Sequence, residues 1–219
     1  MLATFLIEIG FALFVLYRYK SSTIIRLVVA LLVSLAIFQG AEYMLCGGFG
    51  IEGGRWSQLG YSFITLLPPL GLHLVFAIAG KRSRSVVPLA YLSAAVFVAY
   101  FAVITSTLSG HTCYANYAVF DIDKGTLTAQ WYGLFYYGWL ITAIIYAIRF
   151  ARNASNHQKK ALVSLVAGYS AFLIPTTVIN MTDPSTLAGI PSIMCGFAVI
   201  LAFILVINVI PKSGARTKV

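Results

Sequence analysis

Few side chains in this chain can do chemistry, and what makes them informative is where they fall. Glu8, Gln39, Glu42, Tyr43, His73 and Asn180 all lie inside long apolar stretches. Hydrocarbon offers no water to an ionisable or amide group, so each is a functional hypothesis by default. Gln39, Glu42, Tyr43 and Cys46 recur at helical spacing and share one helix face. With Glu8 and Asn180 at a similar depth, they are the candidate lining of a polar pocket for a small ligand or a proton. Trp56 and Trp131 fall near its mouth. The alternative is interhelical hydrogen bonding that holds the bundle together, with Glu8 protonated or reaching to the near interface.

His73 lies deeper, at the end of "LLPPLGLH" (Leu66–His73). It is a supporting ligand-site candidate, conceivable as a proton relay to a carboxylate, with plain packing as the alternative. His111 and His157 belong to opposite aqueous sides, so no pair brackets a haem and no cluster supports a metal site. Pro68 and Pro69 cannot donate to the carbonyls of Ile64 and Thr65, so this stretch should kink. Pro175 does the same to Ala171. Such kinks open a cavity, supply a hinge, or are simply structural.

Other chemistries find no footing. A retinal Schiff base needs a lysine in the last apolar stretch, Gly189–Ile210, and that stretch has none. No serine or paired-aspartate protease arrangement appears, nor an H-E-x-x-H or Gly-rich phosphate loop. The expectation is a protein without catalytic residues, cofactor or metal.

The elements that must carry these residues follow from composition. Of 219 residues, 60% are hydrophobic and 10% charged, whereas soluble domains hold about 25% charged residues. A globule in water would expose large apolar patches. Runs of about 20 apolar residues number seven: Leu2–Tyr17, Ile24–Cys46, Leu59–Gly80, Val86–Leu108, Gln130–Ile148, Ala161–Asn180 and Gly189–Ile210. The first is short and has neither a basic flank nor a cleavage site, so it reads as a retained helix rather than a signal peptide. The fold class is an all-α integral membrane protein, one seven-transmembrane-helix bundle over 1–219, multi-pass in the cell membrane.

Charge sets the orientation. Thirteen of the 15 Lys and Arg residues fall on one side of a seven-span topology, against Arg55 and Lys124 on the other. The positive-inside rule places the C-terminus in the cytoplasm and the N-terminus outside. The net charge of +9 is thus a topology signal, with affinity for anionic lipid; nucleic acid is not a partner. All six acidic residues fall in the outer half or outer loops. Cys46 and Cys113 share the oxidising outer side, where a disulfide between them is plausible; two unpaired thiols are the alternative. Cys195 reads as a packing residue. In the long outer loop Ser109–Gln130, "YAVFDID" alternates as a short strand would. Aromatic residues crowd the fifth span, from Trp131 to Trp139.

The stretch "WSQLGYSFITLLPPLGLHLVFAIAGKR" (Trp56–Arg82) resembles the seven-helix N-terminal sensor region of histidine kinases and diguanylate cyclases. The resemblance rests on Trp56, Leu59, Pro68 or Pro69, Phe76, Ala77, Gly80 and Lys81. "GAEYML" around Glu42, "QWYGLFYYGWL", "NHQKKALVSLVAG" and "LIPTTVIN" continue in the family's order. It implies a region that receives a signal outside or within the membrane and passes it to a cytoplasmic output domain. This chain departs from the pattern after Ile210, where only "PKSGARTKV" follows. A stand-alone receptor, a diverged protein and the membrane portion of a longer chain all fit.

The expected function is therefore a sensor or receptor with a ligand- or proton-responsive outer-half pocket. It would signal through a separate cytoplasmic partner or a homodimer, with the lipid bilayer and an unknown small ligand as further partners. A small-solute or proton-coupled transporter is the alternative, and would use paired broken helices in two related halves. A partner subunit with purely structural polar contacts is a third reading.

Overall fold

The computed structural model describes residues 1–47, 54–104, 111–114, 118–120, 127–183 and 189–218. The helices are α1 (Leu2–Arg18), α2 (Thr23–Leu45), α3 (Gly54–Thr65), α4 (Leu67–Ile78), α5 (Val86–Ala99), α6 (Leu127–Arg152), α7 (Asn156–Thr182), α8 (Ile190–Ile204) and the short α9 (Ile210–Lys212). A π-helical turn, Tyr100–Ile104, extends α5, and another, Leu205–Val209, joins α8 to α9. Two strands, β1 (His111–Cys113) and β2 (Ala118–Phe120), pair antiparallel with Thr112 opposite Val119. The alternation in "YAVFDID" thus yields a strand over Ala118–Phe120; Asp121 and Asp123 lie outside the described residues.

Among the described residues, six helical stretches are long and apolar enough to cross a membrane: Thr23–Leu45, Arg55–Ile78, Val86–Val103, Gln130–Arg152, Asn156–Thr182 and Ile190–Lys212. The chain is a multi-pass helical membrane protein. α1 has 17 residues and is about 26 Å long at helical rise, slightly short of a ~30 Å hydrocarbon core. Its faces still divide as a membrane helix does. Leu6, Leu13, Phe14 and Tyr17 are exposed, while Glu8, Ala12 and Val15 are buried. α6 and α7 show similar stripes, Leu134–Ile141–Ile145–Ile148 and Ile174–Val178–Met181. Exposed large apolar side chains at helical spacing, over a core that holds two glutamates, are the arrangement lipid selects.

The third span differs from a kinked helix. α3 ends at Thr65, Leu66 makes a turn, and α4 begins at Leu67 with prolines in its first turn. Proline lacks an N–H, and first-turn amides have no helical acceptor anyway, so the break puts both prolines where they cost least. Leu66 N donates to Phe63 O at 3.1 Å and Leu70 N to Leu66 O at 3.1 Å, while the Thr65 hydroxyl donates to Tyr61 O at 2.6 Å. Pro175 instead sits inside an unbroken α7. There Thr176 and Thr177 donate to Phe172 O (2.7 Å) and Leu173 O (2.8 Å), next to the carbonyl Pro175 leaves bare.

Gly71 is glycine for a packing reason. A Cβ there would collide with the hydroxyl of Tyr169 on α7, a tyrosine only 2% exposed. The missing side chain is the notch that lets α4 and α7 approach. At the other end of α4, Gly80 adopts φ +64°. Gly80 N donates to Ala77 O and Lys81 N to Phe76 O, the paired bonds of a Schellman stop. It turns the chain into "KRSR" and fixes where those cations stand. Ser155 and Gln158 form a capping box at the start of α7.

The basic ends of the helices gather on one face with the chain's tail. Lys20 N donates to Arg216 O and Lys218 N to Arg18 O, both at 2.9 Å, so Tyr19 and Thr217 form an antiparallel bridge.

Candidate functional site

At the opposite end, the β1–β2 hairpin is tied to the bundle at two points. A disulfide joins Cys46, which caps α2, to Cys113 of β1, with Cα atoms 5.7 Å apart. The expected pairing therefore forms. From the same hairpin, Ala118 N donates to the Ser192 hydroxyl of α8 at 3.0 Å, and Ala118 is itself fully buried. The hairpin is thus tied covalently to α2 and by a buried hydrogen bond to α8.

Beneath it lie the two glutamates. Glu42 stands one turn before Cys46, and both Glu42 and Glu8 have no exposed surface. Among the described residues neither carboxyl oxygen of either glutamate has a hydrogen-bond partner. Ser192 lies against Glu42 but outside hydrogen-bond geometry. The Cys195 thiol of α8 is within electrostatic reach of both carboxyls, and the Tyr61 hydroxyl of α3 is within reach of Glu42. The Met1 amino group acts on both carboxyls as well. α1, α2, α3 and α8 therefore bring two carboxyls within electrostatic reach of one buried thiol, with a phenol and a hydroxyl near Glu42.

An ionised carboxyl buried without a partner costs several kcal/mol. Each glutamate must be met by a proton, a cation or a hydrogen-bond donor, and its preference for one of these can be coupled to helix packing. Deeper in the bundle a cavity of about 20 Å³ is lined by residues that include Tyr136, Tyr169, Met194 and Cys195. That is room for about one water-sized guest. Around it, Tyr132 shares a hydrogen bond of 3.1 Å with Thr65 and packs on Phe97, Phe101 and Tyr61 at centroid distances of 5.3, 5.1 and 6.2 Å.

The other sequence candidates divide. Gln39 is 2% exposed, and its side-chain amide lies 2.8 Å from the Thr4 hydroxyl, which also donates to Met1 O at 2.6 Å. The atom at that distance is Gln39 Oε1, so the single Thr4 proton is shared between two acceptors, Met1 O and Gln39 Oε1. Gln39 is thereby a tie between α1 and α2. Tyr43 and Trp56 are half-buried. Asn180, near the end of α7, has its Oδ1 buried without a hydrogen-bond partner. Trp131 is 61% exposed and faces outward, as an interfacial anchor does.

His73 belongs elsewhere. Its Nδ1 lies 3.3 Å from the Tyr91 hydroxyl, and it lines a cavity among the basic residues at the far end of α4. Sequence reasoning missed Tyr61 and Ser192, while its reading of Cys195 as a packing residue agrees with the place of that side chain in the buried core. The three-residue spacing of Ser192 and Cys195 on one face of α8 was the available signal. Tyr61 carried none. Among the described residues, no three His, Cys, Asp or Glu side chains gather to hold a metal ion.

The sequence profile of one family, the N-terminal 7TM region of histidine kinase, matches residues 1–209. No curated protein and no solved structure matches the chain.

Proposed function

Because the chain belongs to the family of N-terminal seven-transmembrane regions of histidine kinases, we propose that it is a membrane sensor whose signal is read by the buried pair Glu8 and Glu42. In this reading α1 is the seventh crossing. The hairpin end faces outward, and the basic end faces the cytoplasm of a cell membrane. Thirteen of 15 basic residues at one end and a disulfide at the other support that orientation.

The observation that carries the reading is the pair of enclosed, unpartnered carboxyls directly under the tethered hairpin. Their enclosure favours a small trigger, a proton or a small cation, over a bulky ligand. Uptake at the carboxyls changes how α1, α2 and α8 pack. The break at Leu66 and the Gly71–Tyr169 contact carry that change through α4 and α7 toward the basic turns. There a cytoplasmic partner, or a second copy, reads it. Transport is less well supported, because the third span is broken at its prolines whereas α7 runs through Pro175. Those two spans are not the matched broken pair a two-fold transporter uses.

Glu42→Gln keeps the shape of the side chain and removes its charge. An enclosed carboxyl without a partner favours its protonated form, so the thermal midpoint of the wild-type protein in detergent should fall as pH is raised. The Glu42→Gln protein should fold and show a flattened profile. A profile identical to wild type would remove Glu42 from the sensing site.

A further inference from the structure

The cavity that holds His73 lies at the opposite end from the carboxyl pair and is a site of its own. It measures about 620 Å³ and is lined by Thr23, His73, Phe76, Ala77, Lys81, Arg82, Ser83, Arg84 and Val87. Sites for small molecules span ~300–1,000 Å³. We propose that it binds a phosphate-bearing anion.

Charge and local structure agree on that ligand. Three cations line the cavity, and among the described residues no acidic one does. The Schellman stop at Gly80 fixes the backbone from which Lys81, Arg82 and Arg84 project. Lys81 Nζ stands 4.7 Å from the centre of the Phe150 ring, a cation–π contact that orients its exposed side chain. Two helices also begin here. Ser83 Oγ accepts from Val86 N (3.0 Å) and Val87 N (3.2 Å) at the start of α5. Thr23 is the first residue of α2, whose cap Ser22 accepts from Ile25 N at 3.3 Å. Both helices therefore direct the positive ends of their dipoles to the cavity, which favours an anion. Arg82 and Arg84 present planar forks that suit phosphate oxygens. Phe76, Ala77 and Val87 supply an apolar wall, and the Tyr91 hydroxyl holds the His73 ring in its place.

Two sources carry this chemistry, the headgroup of an anionic phospholipid and a soluble phosphate compound. The test uses purified protein in a neutral detergent at physiological salt, where loose surface attraction is screened. Dihexanoyl-phosphatidylglycerol, dihexanoyl-phosphatidylcholine and glycerol 3-phosphate are titrated separately by calorimetry. The variants are Arg82→Ala/Arg84→Ala and, as a control at the same end of the bundle, Lys159→Ala/Lys160→Ala. The expected result is saturable binding of an anionic probe, weakened about tenfold or more by the arginine pair and within about twofold of wild type in the control pair. Preference for phosphatidylglycerol over glycerol 3-phosphate assigns the lipid, and the reverse assigns a soluble phosphate. Equal binding of phosphatidylcholine and phosphatidylglycerol, equal losses in both variants, or no saturable binding of any probe would overturn the site. Thermal midpoints of both variants near that of wild type establish that the losses are not misfolding. Should the alanine pair fail to fold, Arg82→Gln/Arg84→Gln carries the same comparison.

Discussion

Replacing Cys46 and Cys113 together by serine is expected to lower stability by about 2–4 kcal/mol and to open the hairpin over the carboxyl layer. The bridge spans 67 residues, for which chain entropy alone gives about 4 kcal/mol. The helices between the two cysteines stay in the membrane when the bundle loosens, which restricts the severed chain and sets the lower end of that range. Among the described residues the Ala118–Ser192 hydrogen bond and the burial of Ala118 still hold the hairpin, a contribution of about 1–2 kcal/mol. The double variant leaves Cys195 as its only thiol, buried at 2% exposure among the two glutamates. Its rate of modification by a maleimide should rise about tenfold or more over the oxidised wild-type protein, in which the Cys46–Cys113 bridge holds the hairpin in place. An unchanged unfolding midpoint together with an unreactive Cys195 would show that the hairpin neither stabilises nor covers this layer.

The second large effect belongs to the α4–α7 contact. Gly71→Ala gains up to about 1 kcal/mol of helix propensity, yet its new methyl occupies the space of the Tyr169 hydroxyl. Tyr169 is buried against Phe172, with ring centres 6.0 Å apart, so it cannot swing to solvent. Overpacking of this kind costs about 1–3 kcal/mol, and a net loss of about 1–2 kcal/mol is expected. Tyr169→Phe alone removes a buried hydroxyl and should change stability little. Combined with Gly71→Ala it should recover most of the loss, because the colliding atom is gone. The cycle is read from unfolding midpoints in one detergent, and a double variant no better than Gly71→Ala alone would mean that the two residues do not interlock.

The spans were legible because lipid imposes a simple rule on the chain. Each apolar run expected from sequence matches a helix within a few residues at most ends, and the largest differences have local causes. α6 and α7 run past their apolar centres, since Arg149, Arg152, Lys159 and Lys160 are good helix formers and Ser155 caps the second of them. The break in the third span was visible as prolines, but not its form. Only the structure shows α3 ending so that Pro68 and Pro69 become first-turn residues. Glu8 and Glu42 were found because a charge in a span is conspicuous. Tyr61 and Ser192 were missed because hydroxyls are common in spans and say nothing of which helix they face. Depth is readable from sequence while azimuth is not, and that separates the other candidates. Trp131 has the depth of the pocket mouth and faces outward. His73 has a depth of its own and joins the basic cavity. Gln39 has the face and depth of the site but is engaged with Thr4.

The central claim is that protonation or cation uptake at Glu42 reaches the basic turns about five helical turns away along α2. Spin labels at Ser85→Cys and Lys159→Cys, both exposed at the basic end, report the spacing of the turns before α5 and α7 by double electron–electron resonance in proteoliposomes. The native disulfide is kept, and buried Cys195 stays unlabelled. The wild-type background should show a distance distribution that shifts by about 2–5 Å between low and high pH, the scale of helix displacements in switching proteins. Glu42→Gln should hold one of the two distributions at every pH. A wild-type distribution that does not move, or a Glu42→Gln protein that moves as wild type does, would contradict the account.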